Sequence, residues 1–73
     1  MNLRYLRQVG LNIRSMRERC GLRQIDVQEK TGLNHRHYQN IEAGKVNVTV
    51  ETLCKLAKLF RVKIEELVKD VCS

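Results

Sequence analysis

Leu6, Val9, Ile13, Met16 and Cys20 follow one another at steps of three, four, three and four residues. That rhythm lines them up along one side of an α-helix; a half-buried strand needs apolar residues at every second position. Such a stripe has to be buried against other elements, and the rest of the chain supplies helices. "VNVTV" alternates, but it is short and has no partner strand. Asn2 is placed to cap the first helix, and Gly21 suits the left-handed residue that stops one. The spacing therefore predicts a helix over 3–20, with Arg7, Arg14, Arg17 and Arg19 flanking its apolar face.

The remaining segments read the same way. Gln24 to Thr31 is a short second helix with Ile25, Val27 and Gln28 facing inward, and with Asp26 and Glu29 near its positive N-terminal end. Gly32 ends it, Leu33 plugs the turn, and Asn34 caps a third helix over 35–43. That helix has apolar contacts only at Tyr38 and Ile41, and Gly44 stops it. Thr49 caps a fourth helix with Val50, Leu53, Leu56, Ala57 and Phe60 on one face. The chain turns at Arg61 and Val62. Ile64, Leu67, Val68 and Val71 then form a short fifth helix with an apolar edge left over. The expected fold is all-α, one domain over 1–73, with four or five short helices.

A 73-residue chain buries only about 60% of its unfolded surface, so its core is marginal and association is a common remedy. The net charge is +6 and the sequence pI about 9.7, which suits a polyanionic partner. The charge is concentrated: residues 1–23 hold six arginines and one acid, whereas residues 24–44 hold two bases and three acids. Cys20, Cys54 and Cys72 are odd in number and far apart, so neither a disulfide framework nor a zinc spacing is present. This favours a reducing, cytoplasmic setting. Cys20 and Cys54 read as small core residues and Cys72 as an exposed thiol. No run approaches a membrane span, and "MNLRYLRQVG" lacks the apolar centre of a signal peptide.

Two short helices joined by a tight glycine-containing turn form a helix-turn-helix, here about 24–43. The second helix of such a pair needs one face to pack and one to offer donors and acceptors to base edges. Tyr38 and Ile41 pack. Asn34, His35, Arg36, Gln39 and Asn40 are the candidates for base contact. Arginine bridges guanine O6 and N7, and Asn or Gln bridges adenine N6 and N7. The N-terminal residues of such a helix go deepest into the groove, which favours Asn34, His35 and Arg36. His37 points sideways, towards a phosphate. An ordinary solvent-facing helix is built from better helix formers such as Lys, Glu and Ala.

"RQIDVQEKTGLNHRHYQNIEAGK" resembles the helix-turn-helix of the phage-repressor and Cro-like family, also called the XRE family. The matching marks are Gln24, Gly32 and "IEAGK". The following "NVTVETLCKLAKLFRVKIEEL" resembles that family's fourth helix and the start of its fifth. The resemblance spans roughly residues 9–68 and implies a compact five-helix, lambda-repressor-like DNA-binding domain. It implies a transcriptional regulator that binds double-stranded DNA. Gln24 would grip a phosphate, Lys45 would belong to a phosphate-contacting loop, and Arg17 and Glu42 would form a structural ion pair. The chain departs from the pattern at several positions. Gln28 stands where Ala is usual, and Val48 where Pro is common. Tyr38 replaces Ile or Val, which gives its hydroxyl a route to the DNA backbone. Arg61 replaces Gly and is expected in a left-handed conformation. Arg23 replaces a capping Ser, Thr or Asn, which weakens the cap but adds a charge that seeks phosphate.

Other readings have less support. His35 and His37 are two positions apart and point to different faces, and no Ser or Cys stands beside them, so neither catalysis nor a metal or cofactor site is expected. Tyr5, Tyr38 and Phe60 are too scattered to stack RNA bases. The serious alternative is an antitoxin or a restriction-modification controller of the same fold, with a protein as second partner. Dimers of such motifs read two half-sites one DNA turn apart. A homodimer on a palindromic operator is therefore expected, formed by helix 5 and the tail, 63–73, with contacts from Phe60, Val62, Leu67 and Val71.

Overall fold

The computed structural model describes residues 3–71. The expected cap at Asn2 and the thiol of Cys72 lie outside the described residues. Five helices follow in order: α1 Leu3–Arg19, α2 Gln24–Thr31, α3 His35–Glu42, α4 Val50–Phe60 and α5 Ile64–Leu67. No strand occurs among the described residues. The longest helix, α1, lies against α3, α4 and α5, so its apolar stripe becomes the floor of the core. Leu6, Val9, Ile13 and Met16 are buried there with Val27 of α2, Tyr38 and Ile41 of α3, four residues of α4 and Leu67 of α5.

Local chemistry sets the boundaries. The Asn34 and Thr49 side chains accept from the backbone N–H of His37 and Thr52, at 3.0 and 3.1 Å, and so satisfy orphan donors at the starts of α3 and α4. The ends of α1, α3 and α4 share one loop closure. In each, a backbone N–H reaches the carbonyl five residues back: Leu22 to Arg17 at 3.1 Å, Lys45 to Asn40 at 3.0 Å, and Val62 to Ala57 at 3.0 Å. The left-handed residue of this closure is glycine at 21 and 44, but arginine at 61, with φ of 58°.

One buried polar side chain ties the ends of the domain together. Asn12 is 5% exposed. Its Nδ2 donates to the backbone oxygens of Leu67 at 3.2 Å and Lys69 at 2.8 Å, while its Oδ1 accepts from Gln8. The chain leaving α5 is thus anchored to α1 through backbone acceptors.

Burial corrects several sequence expectations. Cys20 and Cys54 are exposed, not core residues. Cys20 lies past the end of α1 in the turn, and Cys54 stands one residue, about 100°, round α4 from Leu53. Ile25 is 38% exposed and does not face inward; Val27 alone in α2 is fully buried. Phe60 and Leu67, expected at a dimer contact, close the core of the single chain at 4% and 0% exposure. A side chain without surface has none to offer a second copy.

Candidate nucleic-acid interface

The second face of α3 is held out by a buried polar cluster beneath it. Tyr38 and Ile41 are fully buried. Four residues on, Glu42 collects three partners. Its Oε2 accepts from Arg17 Nε at 2.7 Å and from the Tyr38 hydroxyl; its Oε1 accepts from Gln24 Nε2 at 2.9 Å. Arg17 also donates from Nη1 to the Leu22 carbonyl at 2.8 Å. The Arg17–Glu42 pair therefore joins α1, α2, α3 and the turn after α1. The two charged side chains are 12% and 5% exposed, and such burial is tolerated only with this degree of hydrogen bonding. Burial pushes the Glu42 carboxyl up, but hydrogen bonds from Arg17, Tyr38 and Gln24 outweigh it and hold it below the usual range.

Tyr38 is thereby corrected from a phosphate candidate to an internal support. Its ring is in the core and its hydroxyl donates to Glu42, so no edge reaches the surface. A Tyr in a position that allows Ile or Val says nothing in sequence about where its hydroxyl ends. The Glu four residues later was the available signal, because i and i+4 share a helix face.

The outward side chains form one continuous face. Asn34, Arg36, His37 and Gln39 are exposed, and His35 and Asn40 are half-buried. Asn34 is exposed and uses its Oδ1 as the helix cap, a bond in which its Nδ2 donors take no part. The Nδ1 of His35 is buried with no hydrogen-bond partner among the described residues, so the ring turns one edge into the domain. No large apolar side chain interrupts this face.

Next to it, Gln24, Arg23 and Arg14 line a groove of about 510 Å³ with Arg17, Gln39, Glu42 and Ala43. Gln24 sits here half-buried, and its Nε2 donates to Glu42. Arg23 remains largely exposed but pairs with Asp26 at 3.0 Å. Its backbone N–H also donates to Asp26 Oδ2 at 2.8 Å, so a reciprocal carboxylate supplies part of the cap that Arg23 cannot. The Arg23 side chain, and then its backbone N–H, hold the Asp26 carboxyl below its ordinary range. Arg14, paired with Glu18 at 3.3 Å on the surface of α1, joins this basic rim. Sequence reasoning had placed it only on the flank of the apolar stripe. Lys45 is exposed just past the closure of α3.

Comparison with known proteins agrees with this geometry. The family whose model matches is helix-turn-helix, over residues 13–67. A curated relative from Sinorhizobium fredii (strain NBRC 101917 / NGR234), the uncharacterized HTH-type transcriptional regulator y4dJ, is 37% identical over 68 residues, 93% of this chain and 86% of the relative. Among solved structures, the DNA-binding domain of BldD superposes with a TM-score of 0.83 at 31% identity, covering 93% of this chain and 99% of that one. The restriction-modification controller protein C.AhdI from Aeromonas hydrophila gives 0.80 at 29% identity, covering 85% and 94%. The chain belongs to the helix-turn-helix family of XRE, or Cro/C1, type, a family of DNA-binding transcriptional regulators and not of enzymes.

Proposed function

We propose that this chain is a sequence-specific regulator that binds a palindromic operator as a homodimer, with α3 in the major groove. The observation that carries the reading is the two-sidedness of α3: Tyr38 and Ile41 are fully buried, while Asn34, Arg36 and Gln39 are exposed. In this reading Asn34, His35, Arg36, Gln39 and Asn40 meet base edges. Arg23, Gln24, His37 and Lys45 meet phosphates on either side, with Arg14 beside them. Val62 and Val71, partly buried against the core, remain as apolar positions for a twofold contact through α5 and the tail at 63–73. A single module covers little DNA, which favours two.

A second reading is favoured by the similarity to C.AhdI. Here the chain would control a neighbouring restriction-modification gene, using the same DNA face. A restriction or methyltransferase gene beside its own would distinguish this use.

The test is selection of bound sequences from random duplex DNA, combined with sedimentation. The expected result is a palindrome with half-sites about 34 Å apart, bound by a dimer, with affinity falling steeply as salt rises. A chain that enriches no sequence, or whose duplex binding ignores salt, is not such a regulator.

A further inference from the structure

Gly10 lies in the interior of α1, where glycine is the poorest helix former after proline. The position is buried. A Cβ built there would stand 2.6 Å from the carbonyl oxygens of both Ile41 and Glu42, and 3.0 Å from the Glu42 carbonyl carbon. All three atoms are backbone, so no change of rotamer relieves the clash. A second close approach lies next to it. A Cβ on Gly44 would stand 2.8 Å from Arg7 Cα and 3.0 Å from Arg7 N. Arg7 and Gly10 are three residues apart, about one helical turn. Over that turn α1 therefore touches the chain backbone to backbone at two points, the end of α3 and the closure after it.

We infer that Gly10 is a positioning residue for DNA reading: it sets the angle at which α3 presents its outer face. This rests on the proposed function, since it concerns that same face. The N-terminal end of α3 is fixed separately, by the Gly32–Asn34 turn and by Leu33 packed on the core. Its C-terminal end is held by buried Ile41 and by the hydrogen bonds of Glu42, and the contact at Gly10 sets how closely that end approaches α1. A methyl group at residue 10 must open the 2.6 Å approach to an ordinary 3.4 Å. Over an eight-residue helix, about 12 Å long, that opening tilts α3 by roughly 4° about its first turn. His35 and Arg36, near the pivot, move little. Gln39 and Asn40 move by about 0.4–0.5 Å, enough to stretch a hydrogen bond of about 2.9 Å past the usual limit of about 3.2 Å. Phosphate contacts made by long charged side chains follow such a shift; bidentate amide contacts to a base edge do not. Gly10 acts on sequence discrimination more than on total affinity.

The experiment compares wild type, Gly10→Ala and Gly44→Ala, with Leu56→Ala as a core variant lying in α4. Affinity is measured at one salt concentration for a duplex selected by the wild type and for random duplex, alongside thermal stability. For Gly10→Ala, specific affinity should fall about tenfold, the size of one lost base contact, with random-duplex affinity within about twofold. Its loss of discrimination should concentrate at the bases read by Gln39 and Asn40 and spare the base read by Arg36. Gly44→Ala loads the adjoining contact and also strains a left-handed backbone (φ 74°), so it should shift the ratio in the same direction with a further loss of stability. Leu56→Ala should lose stability without changing the ratio. Residual dipolar couplings on the free protein should show α3 reoriented against α1 in Gly10→Ala. An unchanged ratio with an unchanged α3 axis overturns the inference, and so does a Gly10→Ala chain that cannot fold, because the contact then does not open by tilting. A wild type with no sequence preference overturns the proposed function instead, and the dipolar couplings still decide whether Gly10 sets the angle.

Discussion

Arg17 and Glu42, 25 positions apart in the chain, meet at 2.7 Å between guanidinium Nε and carboxylate Oε2. Arg17→Ala leaves a carboxylate that is 5% exposed without its cation. The expected loss is about 3–5 kcal/mol, read as a shift in the urea midpoint. A loss below about 1 kcal/mol would rank the pair with ordinary surface ion pairs.

The same carboxylate makes stability depend on acid. Its folded-state value is held below the ordinary 4.5. A depressed carboxylate stabilises the fold above its unfolded value, and that contribution is lost as pH falls through the folded one. Stability should therefore decline below about pH 4.5, and Glu42→Gln should flatten that decline while lowering stability at neutral pH. An acid limb of equal steepness in Glu42→Gln places the titrating group elsewhere.

Tyr38→Phe separates internal support from DNA contact. Burial, and then the hydrogen bond to Glu42, push the Tyr38 hydroxyl far up, so it stays protonated and donating. Removing it should cost about 1.5–3 kcal/mol, the range for a hydrogen bond to a charged group. Once corrected for the folded fraction, DNA affinity should not change. An affinity loss at full folding would return Tyr38 to the interface.

Asn34 has two duties that one substitution can divide. Its Oδ1 caps α3, and its Nδ2 donors take no part in the cap. Asn34→Asp keeps the cap, so melting should move by no more than a few tenths of a kcal/mol. It loses the donor and adds a negative charge near phosphates, so DNA affinity should fall. Asn34→Ala should lose both, with about 1 kcal/mol of stability. Equal stability losses in the two variants would show that the cap is not the source.

Arg36→Ala and Lys45→Ala should fail differently. The first should cost about 1–3 kcal/mol on selected DNA and relax one base position. The second should weaken selected and random duplex alike and lower the salt slope by about one. Competition titrations at several salt concentrations tell them apart, and an exchange of the two patterns would exchange the two roles.

The parts legible in sequence are those decided locally. The bounds of α2, at 24–31, follow from turn chemistry inside a four- or five-residue window, and the starts of α3 and α4 from Asn34 and Thr49. The left-handed Arg61 was legible through the family resemblance, because glycine is usual at that position. The errors concern depth. Helical spacing names a face but not how far a neighbour covers it, so Ile25 was placed inside, and Phe60 and Leu67 at a surface they do not have. The stripe through Cys20 continued in register after the helix itself had stopped. Asn12 carried a faint signal as an amide three residues from Val9 and four from Met16, but its acceptors lie 55 and 57 positions away.

Asn12 holds the end of the domain by two carbonyl oxygens, at Leu67 and Lys69. Every residue type carries that oxygen. The grip therefore takes no account of which side chains the tail bears, and substitutions there can change the surface it presents while the backbone beneath them stays moored.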